Sequence, residues 1–385
     1  MSNKFIPYGK QTIGTADVRA VVNALKADFL TTGPLVGKFE NKFAKYVGAK
    51  YAVAVSNATA GLHLAVLSLE IPLGADGITS PITFMASSNA MLYAGLRPRF
   101  ADIDPDTYSI TANTIKEFIT NDTRLIIPVH YAGHPCEMEK IANVARENRS
   151  YIIEDAAHAV GSKYADGSMV GSGKYSDLTV FSFHAVKTMT TGEGGMITTN
   201  NRKLYEKLLI LRSHGIVRDE KKMTHNPGPW YHEMKLLGYN YRLTDFQAAL
   251  GISQLKRITS FIKKRRSIVS FYNKKFHSTP WIKIPHEAKG VFSAYHLYSI
   301  QIDFLALGKT RREIMEYLFK HGIGTQVHYI PVHLQPYYRE HFGYKVGDFP
   351  IAERYYKNCL SIPLFPSLTK KELALVVNHI LKLCA

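Results

Sequence analysis

The chain has 385 residues, 46% hydrophobic and 21% charged, which suits two compact domains with sizeable cores and excludes a disordered chain. Three scattered cysteines exclude a disulfide framework or a cysteine metal cluster; no uncharged apolar run reaches the roughly 18 residues of a membrane span, and the start has no apolar leader core, so the expectation is a cytoplasmic protein without a membrane partner. A formal charge of +17 raises a nucleic-acid reading, but no binding motif accompanies the densest cluster, Lys263-Lys264-Arg265-Arg266, which reads as a solvated helix face able to attract an anionic substrate.

Along the chain, short apolar runs alternate with helix-length amphipathic stretches, the signature of βα units around a largely parallel sheet. Strands are predicted over 51–55, 78–80, 99–101, 125–129, 151–153, 178–183 and 196–199. A long basic helix is predicted over 254–276, then a strand over 296–302 and helices over 311–321 and 370–382. The boundary is placed near residue 255, giving a large domain of 1–255 and a small C-terminal domain of 256–385.

Chemistry enters at the ends of the predicted strands. The first runs into Ser56-Asn57-Ala58-Thr59-Ala60-Gly61 and then an apolar helix pattern. A small-residue turn before a helix start is an anion site, to which Ala58 brings a backbone N–H and Thr59 a hydroxyl; an ordinary capped βα turn gives the same pattern. Phe84 follows the second strand, where it either stacks on a ligand ring or joins the core. Glu154-Asp155-Ala156-Ala157-His158 closes the fifth strand, and Phe181-Ser182-Phe183-His184-Ala185-Val186-Lys187 leads from the sixth into Thr191-Gly192-Glu193-Gly194-Gly195. A lysine and a carboxylate so placed suit pyridoxal 5'-phosphate, which needs one to hold it as a Schiff base and the other to keep its pyridine nitrogen protonated. In an open α/β sheet both project from the carboxyl ends of strands, where ligands bind. His158, one helical turn past Asp155, either touches the ring hydroxyl or caps a helix. His184 either meets substrate or serves the loop.

These motifs, together with Thr79-Ser80-Pro81-Ile82-Thr83-Phe84 and Gly238-Tyr239-Asn240-Tyr241-Arg242-Leu243, resemble the nucleotide-sugar aminotransferases of the aspartate aminotransferase fold (fold type I). The resemblance covers essentially the whole chain. It implies an α/β protein whose large domain carries a seven-stranded, mostly parallel sheet, with a smaller C-terminal α+β domain. Arg212-Ser213-His214-Gly215-Ile216, Gly228-Pro229-Trp230-Tyr231 and Gln326-Val327-His328-Tyr329-Ile330-Pro331-Val332-His333 resemble most the transaminases of pseudaminic acid biosynthesis, which make UDP-4-amino-4,6-dideoxy-N-acetyl-β-L-altrosamine from a 4-keto precursor. Pro128-Val129-His130-Tyr131-Ala132-Gly133 and Ser361-Ile362-Pro363-Leu364-Phe365-Pro366 are also similar to the aminoarabinose transaminases.

Carried onto matching positions, the resemblance implies that Lys187 anchors the cofactor and moves the proton, and that Asp155 meets the pyridine nitrogen. Ala58, Thr59 and Ser182 would hold the phosphate, joined by Asn240 from a second subunit, so a homodimer with shared active sites is implied. The UDP-sugar would be met by Tyr8, Asp28, Phe29, Leu30, Thr31, Gln326, Val327, His328 and Tyr329, with L-glutamate as amino donor. Many relatives carry glycine where Ala58 stands, which leaves open whether that position needs a positive φ. The related sugar 3-dehydratases typically have histidine in place of the lysine, and this chain has Lys187.

Overall fold

The computed structural model describes residues 5–384. Seven strands form one sheet: β1 (Tyr51–Val55), β2 (Asp76–Thr79), β3 (Arg97–Phe100), β4 (Thr123–Ile127), β5 (Tyr151–Asp155), β6 (Leu178–Ser182) and β7 (Gly195–Thr199). Their order is β1-β7-β6-β5-β4-β2-β3, and β7 alone runs antiparallel to its neighbours. The other six strands therefore end at one edge. Both faces are covered: Ala52 and Ala54 of β1 enter the core built by Phe39, Phe43, Phe181 and Met196, whereas Val53 and Val55 enter the opposite core with Leu62, Leu64 and Ile197. Burial on both faces explains why the strands read as continuous apolar runs.

The second to fourth strands begin two residues earlier than expected. Their first residues are polar, which hides them from an apolar pattern, but Asp76 is buried and accepts from Arg97 Nε at 2.9 Å and from Thr120 Oγ1 at 2.7 Å. A charge satisfied by partners from adjacent segments can sit inside a sheet.

The helix expected over 254–276 is two helices, α1 (Asp245–Leu255) and α2 (Ile258–Phe276). The break has a cause in Asp17, fully buried on an earlier helix. Ser253, Gln254 and Arg257 all donate to its carboxylate, at 2.6, 2.8 and 2.6 Å. Past the break, α2 places Ile258, Phe261 and Ile262 in the first core and Val269, Tyr272 and Phe276 in another. That other core covers a three-stranded antiparallel sheet of β8 (Ile282–Lys283), β9 (Tyr298–Ile302) and β10 (Cys359–Ile362). Ile6 belongs to it too, through a bridge to Ile323. Among the described residues no helix is long and apolar enough to cross a membrane.

Candidate active site

Asp155 ends β5 and is buried. Its Oδ2 accepts from Ser87 Oγ at 2.6 Å, Ser87 is itself 2.7 Å from Thr83 Oγ1, and its Oδ1 accepts from the Ala157 N–H at 3.0 Å. The carboxylate is thus aligned from both sides. Lys187 lies in the loop after β6, on the neighbouring strand. Burial of its amine lowers the pKa from 10.5 to about 8 against the opposing pull of Asp155, so about a tenth is neutral and nucleophilic at pH 7, far more than for an exposed lysine.

Three buried histidines surround this lysine. The Ala132 N–H donates to His158 Nδ1 at 3.2 Å, which leaves the imidazole proton on Nε2, 3.2 Å from the Tyr329 hydroxyl. His296 packs against His158 with ring centroids 4.5 Å apart. His328 has Nδ1 at 2.8 Å from Ser361 Oγ. Desolvation, reinforced by the lysine, pushes His158 and His296 well below the ordinary histidine value and brings His328 to about 3. All three are held neutral; His158 and His328 hydrogen-bond through their rings, whereas the buried Nδ1 of His296 has no partner among the described residues. Ser87, Thr83 and His296 escape a reading by sequence; the only available signal was the position of Thr83 in the Pro81-Ile82-Thr83-Phe84 run.

The small-residue turn after β1 begins the helix Ala58–Ser68, capped by Asn57, whose Oδ1 accepts from the Ala60 N–H at 2.8 Å. Among the described residues no protein acceptor meets the N–H groups of Ala58 or Thr59. Ala58 is the first helical residue and is absent from the positive-φ positions, so alanine fits without strain. Ser182, buried at the end of β6, accepts from the His184 N–H at 3.3 Å. The His184 ring is exposed, 3.9 Å from Glu193. Free N–H groups at a helix start, a neighbouring hydroxyl and a desolvated lysine beside a fixed carboxylate fit the phosphate, aldehyde and ring nitrogen of pyridoxal phosphate.

On the open side, Tyr8 places its ring 5.3 Å from that of His328, and Tyr329 lies between His158 and Phe84, at 6.2 and 6.4 Å. Phe84 is 58% exposed, so its face is free for a ligand. Gln326 is exposed and its backbone pairs with Ser361, while Val327 is half-buried. Asp28, Phe29, Leu30 and Thr31 are exposed, held where the Asp245 N–H donates to the Leu30 carbonyl at 2.9 Å. Asn240 is exposed as well. No hydrogen bond or ring contact among the described residues ties 28–31 or Asn240 to the Lys187 group within this chain.

The model of the DegT/DnrJ/EryC1/StrS aminotransferase family matches residues 11–381. Among relatives, the GDP-perosamine synthase of Escherichia coli O157:H7 is 36% identical over 378 residues, 98% of each chain. Among solved structures, Helicobacter pylori PseC, an aminotransferase involved in the biosynthesis of pseudaminic acid, is 30% identical with a TM-score of 0.92 over 99% of both chains. A putative sugar aminotransferase of Streptococcus pneumoniae, Spr1654, in its pyridoxal phosphate form, is 30% identical with a TM-score of 0.90 over 99% of this chain and 98% of that one.

Proposed function

Because the chain belongs to the DegT/DnrJ/EryC1/StrS aminotransferase family, sugar aminotransferases that depend on pyridoxal phosphate, we propose that it moves the amino group of L-glutamate to C4 of a UDP-linked 4-keto-6-deoxy-N-acetyl sugar. The product is UDP-4-amino-4,6-dideoxy-N-acetyl-β-L-altrosamine, a step of pseudaminic acid biosynthesis. The observation that carries the chemistry is the Lys187 amine, desolvated to a pKa of about 8 beside the doubly hydrogen-bonded Asp155. The likeness to PseC over the full chain supports the choice of sugar.

When bound, the cofactor supplies an electron sink for the carbanion at the donor Cα. Lys187 would hold it covalently through its amine and, when freed, would serve as the group that takes up and returns the donor Cα proton. Asp155, fixed by Ser87 and the Ala157 N–H, would keep a proton on the ring nitrogen, and His158, which faces the Tyr329 hydroxyl through Nε2, would serve the ring hydroxyl. The Ala58 and Thr59 N–H groups and the Ser182 hydroxyl would take the phosphate, Phe84 would cover the ring, and Asn240 would reach the phosphate of a second protomer in a homodimer. Tyr8, His328 and Tyr329, with Gln326, Val327 and the 28–31 segment, receive the sugar nucleotide. His184, exposed at the mouth of the loop, is left to loop bonding or substrate contact.

A second reading, a GDP-perosamine type aminotransferase, draws on the 36% identity to that synthase. Both sugars present a C4 ketone and differ in groups read by pocket shape, which discriminates by about 1–3 kcal/mol per contact. Turnover assays with the UDP-N-acetyl ketosugar and the GDP ketosugar side by side separate them: a clear preference for the first supports the proposal, and a preference for the second replaces it.

A further inference from the structure

Behind the cofactor-facing edge lies a buried polar cluster that the reaction does not use directly. Glu154 precedes Asp155 on β5, so its side chain points to the opposite face of the sheet. It is fully buried and has four donors: His130 Nε2 at 2.6 Å and the Tyr164 hydroxyl on one oxygen, the Ser176 hydroxyl and Thr179 Oγ1, the latter at 3.1 Å, on the other. Burial alone would raise the Glu154 pKa, but the hydrogen bond and charge of His130, with the hydroxyls of Ser176 and Tyr164, outweigh it and hold it below the ordinary value, while the His130 pKa is raised to about 10. Glu154 is therefore a carboxylate. The Cys136 N–H lies 3.0 Å from His130 Nδ1, which orients the ring so that Nε2 meets Glu154.

His130 begins a turn whose backbone sets the groups around Lys187. Its N–H donates to the Asp155 carbonyl at 3.0 Å, and the Asp155 N–H donates to the Pro128 carbonyl at 2.9 Å. Tyr131, next along, donates from its hydroxyl to the His328 carbonyl at 2.8 Å. Ala132 donates its N–H to His158 and accepts from the His296 N–H at 2.8 Å. The turn includes Ala132 at φ 55°, a left-handed conformation that surrounding contacts must hold for a residue with a Cβ. Asp155, His158, His296 and His328 thus all hang on one turn.

We propose that the Glu154–His130 hydrogen bond is the positioning device of the site: it locks the turn through Pro128 to Ala132 and so sets Asp155 and His158 on the cofactor side and His328 on the substrate side. His130 and Glu154 are positioning residues and touch neither ligand. The proposal rests on the assignment of Asp155 to the cofactor. A purely structural role for Glu154 would work equally through its other oxygen, bound to Ser176 and Thr179 next to β6.

The test compares His130→Asn, which keeps an acceptor for Cys136 but cannot reach Glu154, with Ser176→Ala, which removes a donor from the other oxygen. Apo-protein is titrated with pyridoxal phosphate, and the pH midpoint of the visible band and the thermal midpoint are measured. His130→Asn is expected to weaken cofactor binding about tenfold, the scale on which outer partners of a site act, and to move the band's pH midpoint. Ser176→Ala lowers the thermal midpoint and leaves both cofactor readouts near wild type. His130→Gln, whose amide reaches the position of Nε2, restores most of the affinity. If His130→Asn does not fold, Glu154→Gln replaces it with the same expected direction. Equal effects of the two substitutions on cofactor affinity, or an unmoved pH midpoint in His130→Asn, overturn the proposal. Asp155→Asn serves as control: wild-type cofactor affinity there would overturn the assignment on which the proposal stands, whereas weakened binding in Asp155→Asn with none in His130→Asn overturns the positioning role alone.

Discussion

Lys187 and Asp155 illustrate how much chemistry a single residue draws from its surroundings. An exposed lysine is almost entirely protonated at neutral pH; burial brings this one to about 8. The sign follows: the neutral, reactive amine grows as pH rises through about 8, so capture of pyridoxal phosphate by apo-protein should accelerate through that pH and level off above it. Stopped-flow absorbance checks this, and an inflection near the ordinary 10.5 would contradict it. Lys187→Ala should lose nearly all turnover. Asp155→Ala should bind cofactor weakly and transaminate roughly tenfold more slowly or worse, because the lost charge-assisted hydrogen bond also removes the protonated pyridine; unchanged turnover in steady-state assays would count against the assignment. These two residues were legible because each sits just past an apolar run. Ser87 and His296 were not, since their roles come from contacts with residues about 70 and 140 positions away.

Elements bring these residues to one edge, and the parallel run of β1, β5 and β6 does most of it. The close approach of β7 to the helix after β1 depends on Gly195: a Cβ there would lie 2.8 Å from the Asn57 carbonyl carbon and 2.9 Å from the Ala58 nitrogen. Backbone atoms cannot swing aside, so Gly195→Ala should cost about 1–3 kcal/mol of stability and weaken cofactor binding through the displaced Ala58 and Thr59 N–H groups, as denaturant melts and cofactor titration would show. The seven strands were legible from apolar periodicity, but the polar starts of β2 to β4 were not, because Asp76 is satisfied by Arg97 and Thr120 from separate segments. The break between α1 and α2 was hidden for the same reason. Asp17→Ala should lower stability by about 3 kcal/mol in denaturant melts, since it strands Ser253 and Gln254 in a buried setting.

At the scale of the molecule, the exposed Asn240 and the exposed 28–31 segment support the proposal that each site is completed by a second copy of the chain. Mixing Lys187→Ala with Asn240→Ala subunits then yields hybrids with one intact site, and about a quarter of full activity should return if exchange is random; no recovery would place Asn240 outside the partner's site. A division near residue 255 remains our proposal for the boundary between a large cofactor domain and a small domain, with α2 spanning both cores. The choice of sugar is the least legible property, because no single residue type marks it and a few shape contacts decide it. The most direct test follows the absorbance of purified, cofactor-loaded protein as L-glutamate and then the 4-keto UDP-N-acetyl sugar are added. Loss of the visible band with glutamate and its return with this ketosugar are the expected results; a band that never responds to glutamate, or that stays lost with this sugar and returns with the GDP ketosugar, would contradict the proposed reaction.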